Sequence, residues 1–135
     1  MKLIPYIHFG GNAEDAINFY KKALGVEEVK IQRYGETPMP VDEDYKNKII
    51  HARLIFDGDN ILMISDAFKG QPVSTNGNVQ LSVDINDIDN LEKIFNAMAE
   101  GGQITMPLQD TFWEAKFGML KDKFGVGWMF NCEKK

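Results

Sequence analysis

The sequence contains two histidines, His8 and His51, and each lies in a run of apolar residues typical of a β-strand. An imidazole changes its charge near neutral pH, so either ring could act as an acid, a base or a donor to a substrate oxygen. The alternative for each is a half-buried strand histidine bonded to a neighbouring side chain. We take His51 as the candidate catalytic residue and His8 as a further candidate for ligand contact.

Asp66 is a third candidate, because it lies in the strand-end segment MISDA and could reach the same site as the two histidines. A Ser-Asp pair at a strand end is also typical of a turn cap, so both roles stay open. Stable metal binding needs three or four converging ligands, and the histidines have no acidic residue at a fixed spacing. We therefore predict no metal site, although His8, His51 and Asp66 together could converge on an ion in three dimensions.

Aromatic residues near the C-terminus form a second group of candidates. The run 113–120 predicts a strand in which Trp113, Ala115 and Phe117 face one side, where the two rings would form the wall of a ligand pocket. Ordinary core packing is the alternative, and for Trp128 it is at least as good an interpretation.

Tyr6 and several methionines complete the candidate set. Tyr6 shares a strand face with His8, and flexible thioether side chains such as Met63 and Met119 could line an adaptable pocket. The predicted ligand-binding residues are Tyr6, His8, His51, Met63, Asp66, Trp113, Phe117 and Met119.

The elements that must position these residues repeat within the chain. Residues 3–25 and 78–102 each contain an apolar strand and a helix that ends in Gly, and a shift of 75 positions aligns Tyr6 with Leu81 and Tyr20 with Phe95. Each copy is followed by strand-like alternation, which predicts a βαβββ module made twice.

Turn and cap residues give the bounds of these elements. Asn12 and Gly25 bracket a helix over about 13–24, and a second helix covers about 87–100. The predicted strands are about 3–9, 28–34, 49–56, 61–65, 79–85, 103–110, 113–120 and 126–132. We expect one domain, 1–135, of the α+β class, with modules of about 1–66 and 77–132 and a linker at 67–76.

Composition excludes several classes of protein. The 135 residues are 44% hydrophobic and 26% charged, and the net charge is −5 with Lys and Arg scattered along the chain. These features argue against a nucleic-acid partner, because affinity for the phosphate backbone comes from clustered cations. No apolar run is long enough to cross a bilayer, and the first residues are typical of a strand rather than a signal peptide. With Cys132 as the single cysteine, these features predict a cytoplasmic protein with no membrane partner.

Three segments closely resemble the signature blocks of PhnB-like proteins, namely PYIHFGGNAEDAINFYKKALG, IIHARLIFDGDNILMISDA and GGQITMPLQDTFWEAKFGMLKDKFGVGWMFN. These proteins belong to the vicinal oxygen chelate superfamily, with glyoxalase I, bleomycin-resistance proteins and extradiol dioxygenases. The resemblance implies two βαβββ modules whose mixed sheets curl into a cup, in a homodimer. It also places His51 within the His-Ala pair of the family pattern.

The resemblance also implies where a divalent metal would be held. Metal-binding relatives take ligands from the first and last strands of each module, and those positions fall here near Pro5 or Tyr6, at Gln80 and at Met129. A thioether and a proline do not suit a metal with hard ligands, so we predict no cofactor.

The sequence suggests two main functions and a third with less support. The first is a metal-free small-molecule binding protein of the glyoxalase/bleomycin-resistance type. The second is a metal-dependent lyase or isomerase of the glyoxalase type, which would make the chain an enzyme. The third is the methyltransferase activity for which PhnB-like proteins have been labelled, but no Gly-rich turn of the GxGxG type follows a strand to hold a methyl donor.

Overall fold

The computed structural model describes residues 1–74 and 77–133, and it divides the chain into two units, Met1–Val73 and Ser74–Lys135. The predicted linker 67–76 spans this boundary, and its residues 75 and 76 lie outside the described residues, as do 134 and 135. Each unit is a βαβββ module, so the predicted α+β class is confirmed. No helix among the described residues is long and apolar enough to cross a membrane.

The described part of the first unit has one α-helix, two short 3₁₀-helices (Tyr34–Glu36 and Glu43–Tyr45) and one four-stranded mixed sheet. Its sheet has the order β1-β4-β3-β2, with β1 parallel to β4 and the other neighbours antiparallel. The elements are β1 (Tyr6–Phe9), α1 (Ala13–Leu24), β2 (Glu28–Arg33), β3 (Ile49–Asp57) and β4 (Asn60–Asp66).

Helix α1 forms because its apolar residues recur on one side. Ala13, Ala16, Ile17 and Tyr20 are buried at helical spacing, and Gly25 ends the helix in the left-handed region with φ of 74°. Asn12 occupies the predicted N-cap position, but its side chain makes no capping hydrogen bond.

The cap of α1 comes instead from the end of β4. One carboxylate oxygen of Asp66 accepts hydrogen bonds from the backbone N–H groups of Gly11 and Ala13, each at 2.9 Å. The negative charge also suits the positive end of the helix. A local cap residue was expected, whereas a residue more than fifty positions away supplies the acceptor.

Strand alternation gives the first sheet two different faces. Leu54, Leu62 and Ile64 are buried on the side that carries α1. The other side, which we call the N-terminal open face, carries Tyr6 and His8 from β1 together with His51 and Met63.

The second unit repeats this arrangement. Its sheet has the order β5-β8-β7-β6, again with one parallel pair, β5 and β8. The elements are β5 (Leu81–Asp84), α2 (Ile88–Ala99), β6 (Gln103–Asp110), β7 (Ala115–Lys121) and β8 (Gly127–Glu133).

The core of the second unit lies between α2 and the sheet. Phe95 and Phe130 are fully buried and their rings meet edge to face, 5.6 Å apart. Trp128 is buried as well, and its indole N–H donates to the carboxylate of Asp122 at 2.9 Å. Trp128 therefore has the core position expected for it, and Cys132 is also buried.

The repeat of 75 positions holds for the bounds of the helices and of the first strands, but not for the faces that the strand residues take. Ala13–Leu24 and Ile88–Ala99 have the predicted offset of 75 positions. In β1, however, Tyr6 lies on the open face, while Leu81 pairs with buried Trp128 on the helix side of its sheet. Because a one-residue slip moves a strand residue to the opposite face, the alignment of Tyr6 with Leu81 is wrong.

Candidate functional site

The N-terminal open face brings together a tyrosine and a histidine that the sequence places far apart. The hydroxyl of Tyr6 lies 2.9 Å from Nδ1 of His51, and the two rings are tilted by 60° with centroids 5.6 Å apart. When the hydroxyl donates to Nδ1, Nε2 carries the ring proton and presents an N–H donor. The pair can therefore orient a ligand oxygen or pass a proton.

A second hydrogen-bonded pair lies beside the first. Nδ1 of His8 and the hydroxyl of Ser65 are 2.7 Å apart, with Ser65 buried and directly opposite His8 in the parallel β1–β4 register. The rings of His8 and Tyr6 are stacked with centroids 4.7 Å apart. The two pairs thus form one continuous polar and aromatic group, which we call the Tyr-His cluster (Tyr6, His8, His51 and Ser65).

The register of the sheet surrounds the Tyr-His cluster with one apolar and several polar side chains. Met63 lies opposite Tyr6 on one side and opposite Arg53 on the other. Lys30 lies opposite Arg53, and Gln32 lies opposite His51. A ligand on this face would meet aromatic rings, one thioether and a small number of donors.

Asp66 does not belong to this face. Its side chain lies on the helix side, where it accepts the two bonds from Gly11 and Ala13 and a third at 2.9 Å from the backbone N–H of Ile49. A carboxylate held by three backbone donors and 2% exposed is engaged in joining α1, β3 and β4. This arrangement matches the capping role that was the alternative for Asp66.

The remaining predicted site residues form a separate group in the second unit. Phe117 and Met119 are partly buried on the face of the second sheet opposite α2. Trp113 precedes β7 rather than opening it, in a turn where Glu114 has φ of 59° and the hydroxyl of Thr111 accepts from the N–H of Ala115. The strand alternation predicted from residue 113 therefore does not hold there.

The aromatic contact expected in this group is nevertheless present. The rings of Trp113 and Phe117 meet at 68° with centroids 5.8 Å apart, and the rings of Phe112 and Trp113 meet at 88° with centroids 4.9 Å apart. Trp113 is 48% exposed, in contrast to the 2% of Trp128. An aromatic surface with a partly exposed tryptophan could contact a ligand or another protein chain.

The metal-ligand positions of the superfamily pattern do not suit a metal ion in this chain. Pro5 has no side-chain donor, the hydroxyl of Tyr6 is bonded to His51, and Met129 offers a thioether from β8. Over residues 1–74 and 77–133, no three His, Cys, Asp or Glu side chains are grouped in a way that could hold a metal. The residues at these positions therefore do not suit a divalent metal ion.

A cavity of about 300 Å³ lies beside the loop that joins β2 to β3. Tyr34 and Tyr45 form an edge-to-face pair there, and their hydroxyls donate to the backbone oxygens of Asp66 and Ala67. Burial raises the pKa of both tyrosines, so they stay neutral donors over the physiological range. The remaining lining residues are Met39, Pro40, Val41, Asp42, Phe68 and Lys69.

Lys69, in the wall of this cavity, already forms ion pairs with two carboxylates. Nζ of Lys69 lies 2.8 Å from Asp44 and 3.1 Å from Asp42. These carboxylates raise the pKa of Lys69, and Lys69 in turn lowers the pKa of Asp44. These ion pairs hold the loop against Lys69, three residues after the end of β4, and leave no unpaired charge on Lys69 for a ligand. This cavity is therefore a weaker candidate for ligand recognition than the Tyr-His cluster.

Sequence reasoning missed two residues of the N-terminal open face. Ser65 was weighed only as part of a turn cap, and Arg53 was not considered. Arg53 lies two residues after His51 in the same strand, and that i, i+2 spacing was the signal that places both on one face.

The chain matches a described protein family and several curated or solved proteins. The profile of the family described as 3-demethylubiquinone-9 3-methyltransferase matches residues 1–130. The chain is 35% identical to protein YjdN of Escherichia coli, over 100% of this chain and 97% of that protein.

Solved structures also match the chain over nearly its whole length. Protein PA1353 from Pseudomonas aeruginosa is 40% identical with a TM-score of 0.89, covering 100% of this chain and 99% of that one. The PhnB protein from Bacillus cereus is 27% identical with a TM-score of 0.76, over 98% and 99% of the two chains. A glyoxylase/bleomycin resistance protein/dioxygenase domain from Frankia shares the fold, at 13% identity and a TM-score of 0.69 over 100% and 93%.

Proposed function

Because this chain belongs to the PhnB-like family of the vicinal oxygen chelate superfamily, we propose that it is a small-molecule binding protein of the glyoxalase/bleomycin-resistance type. Its ligand is held on the N-terminal open face by the Tyr-His cluster, without the superfamily's metal. Fold alone does not give this function, since one fold hosts many activities, so the proposal depends on the site.

The observation that carries the proposal is the pairing of the four polar side chains of the cluster. Each imidazole uses Nδ1 for a hydrogen bond, to Tyr6 or to Ser65, which fixes the ring and leaves its Nε2 for a ligand. Held rings beside a thioether match the make-up of small-molecule sites, which are mostly apolar with a few placed polar groups. Binding to such a site costs less ordering of side chains than binding to a mobile one.

A catalytic role for the same cluster is the second candidate. A tyrosine hydroxyl bonded to an imidazole can transfer a proton to or from a carbon next to a carbonyl, which is the step that lyases and isomerases of the glyoxalase type require. His51 would act as the base through Nε2, in the tautomer in which its Nδ1–H donates to the hydroxyl oxygen of Tyr6, and would then return the proton to the neighbouring carbon. The usual metal has no suitable ligands at Pro5 and Met129, so this candidate is a metal-free proton transfer.

The methyltransferase activity in the family description finds less support. The GlyGly pairs of the sequence lie at a helix start and after a helix end, and neither forms a GxGxG turn after a strand. We therefore do not assign a methyl donor to this chain.

Two properties of the assembly belong to the same proposal. We expect a homodimer, because partly exposed apolar residues such as Ile31, Ile104 and Met106 lie on strands of the two sheets, where a second copy would cover them. We also expect the protein to be in the cytoplasm. Trp113 and Phe117, whose rings meet within the second unit, remain proposed ligand contacts of that unit.

Histidine-selective NMR tests the binding proposal directly. Uniformly ¹⁵N-labelled protein is titrated with benzamide, benzyl alcohol and benzoate, and the ring signals of His8 and His51 are assigned with the variants His8→Gln and His51→Gln. We expect at least one probe to shift both rings in a saturable way. Shifts confined to the tyrosines of the β2–β3 loop would move the site to the cavity there, and the proposal would be wrong.

A further inference from the structure

Arg53 has a donor that the fold does not use. Its Nε atom is buried, and within the described part of the chain it has no hydrogen-bond partner. Arg53 lies in the middle of β3, pairs with Met63 and Lys30, and faces the same side as His51. A buried polar atom without a partner is rare in folded proteins, and it is a common sign of a missing ligand or water.

The charges around Arg53 do not neutralise it. The ion pairs found among the described residues involve the other arginine, Arg33, and several lysines, but not Arg53. Lys30 adds a second cation directly opposite, and the acidic Glu28 shares this face two positions before Lys30 in β2. An anion is therefore attracted to this part of the face, although the whole chain has a net charge of −5.

We propose that Arg53 binds the oxyanion of the ligand, with the two terminal nitrogens of its guanidinium donating to two of its oxygens. The inference rests on the proposed small-molecule function and narrows its ligand to molecules with a carboxylate or another oxyanion. A guanidinium suits this task because its donors form a planar fork that matches two oxygens at once.

The neighbouring residues extend this recognition. Met63 lies between Arg53 and Tyr6 in the register, so an oxyanion at Arg53 sets the rest of the ligand over the thioether and toward the Tyr-His cluster. The aromatic pair of Tyr6 and His8 then contacts the apolar part. The predicted ligand class is an aromatic or otherwise planar molecule with one oxyanion.

Three probes of similar shape separate charge from shape. Benzoate has a planar oxyanion, benzenesulfonate a tetrahedral one, and benzamide is the neutral counterpart of benzoate. In titrations followed by NMR, we expect benzoate or benzenesulfonate to bind the wild-type protein at least about tenfold more tightly than benzamide. The stronger of the two identifies the geometry of the anion.

Variants of Arg53 test whether this residue is the cause. Arg53→Gln should remove the preference for the anion, and Arg53→Lys, which keeps the charge but not the fork, should lose most of it. Lys22→Gln, on the exposed side of α1, changes the net charge equally and should leave the preference unchanged. Comparison of the amide spectra ensures that each variant is folded.

The outcomes that contradict the inference are distinct from those that contradict the function. Equal binding of benzamide and benzoate to the wild type would overturn the role of Arg53 while keeping a small-molecule site. A preference for anions that survives in Arg53→Gln would also overturn it. Binding of none of the probes at about 10 mM would reject both the oxyanion inference and the aromatic binding site.

Discussion

Tyr6 and His51 are 45 positions apart in the chain, yet the hydroxyl of one lies 2.9 Å from Nδ1 of the other. The contact joins β1 to β3 across β4, so it forms only when the parallel strand β1 is in register. Because the partner holds the imidazole of His51 in one orientation, removal of the hydroxyl should release the ring without disturbing the core.

Tyr6→Phe and His51→Gln should each weaken binding of a probe by about tenfold, since each removes one hydrogen bond of the site. Tyr6 is 42% exposed, so we expect the free energy of unfolding to change by less than about 1 kcal/mol. Isothermal titration measures the affinity of each variant, and Phe19→Leu, outside the face, is the control.

Trp113→Ala and Trp128→Ala should differ in how much stability they cost. Trp113→Ala should cost less than about 3 kcal/mol of stability, whereas Trp128→Ala should cost at least that amount because it leaves a cavity and removes the indole donor to Asp122. Urea unfolding gives both values. Equal losses would show that Trp113 is a core residue, and a probe affinity unchanged by Trp113→Ala would remove it from the ligand site.

Asp66→Asn should destabilise the first unit severely. The amide NH₂ cannot accept the hydrogen bonds that one carboxylate oxygen now accepts, so at least one buried backbone N–H loses its acceptor, at a cost of about 2–3 kcal/mol. Asp59→Asn changes an exposed carboxylate paired with Lys2 and should cost less than about 1 kcal/mol. Chemical denaturation of the two variants checks the contrast.

The ion pair of Glu14 and Arg33 predicts a loss of stability in acid. Hydrogen bonding to Arg33, at 2.8 Å and 3.1 Å, lowers the pKa of Glu14 in the folded protein. A folded-state pKa below the unfolded one contributes stability above the unfolded value, and this contribution is lost as pH falls through the folded value. Glu14→Gln should therefore be less stable than the wild type at pH 7, by less than about 1 kcal/mol because the pair is partly exposed, and the difference should vanish as the pH falls below the folded-state pKa of Glu14.

Light scattering checks the expected homodimer. At micromolar concentration we expect a mass twice that of the 15.3 kDa chain. A monomer would remove the assembly from the proposal and leave the fold unchanged. Ile104→Lys, on the exposed edge strand β6, should favour the monomer if this strand is in the interface.

The sequence predicts the modules well because their signals are local. Helical spacing around Tyr20 and Phe95, and the glycines that follow the helices, are read within a dozen residues. The site is less predictable because its contacts are not local. The partners of Asp66 and His51 depend on the register of strands far apart in the chain, and on which face each residue takes.

The repeat illustrates this limit. A shift of 75 positions describes both helices, but it places Tyr6 against a residue of the opposite face, Leu81. Helices tolerate a shared offset because their buried side spans several positions, whereas a strand reverses its faces with a shift of one residue. Similarity of composition therefore does not transfer a site from one module to the other.

The parallel pairing of β1 with β4 also sets the order in which the first unit can fold. His8 and Ser65 are separated by 57 positions, whereas β3 and β4 are joined by a tight turn. Closing the longer loop costs more conformational entropy, so the β3–β4 hairpin should form early and β1 should pair with β4 late. Until then β4 has an unpaired edge, and the refolding chain is open to aggregation during the interval before the Tyr-His cluster exists.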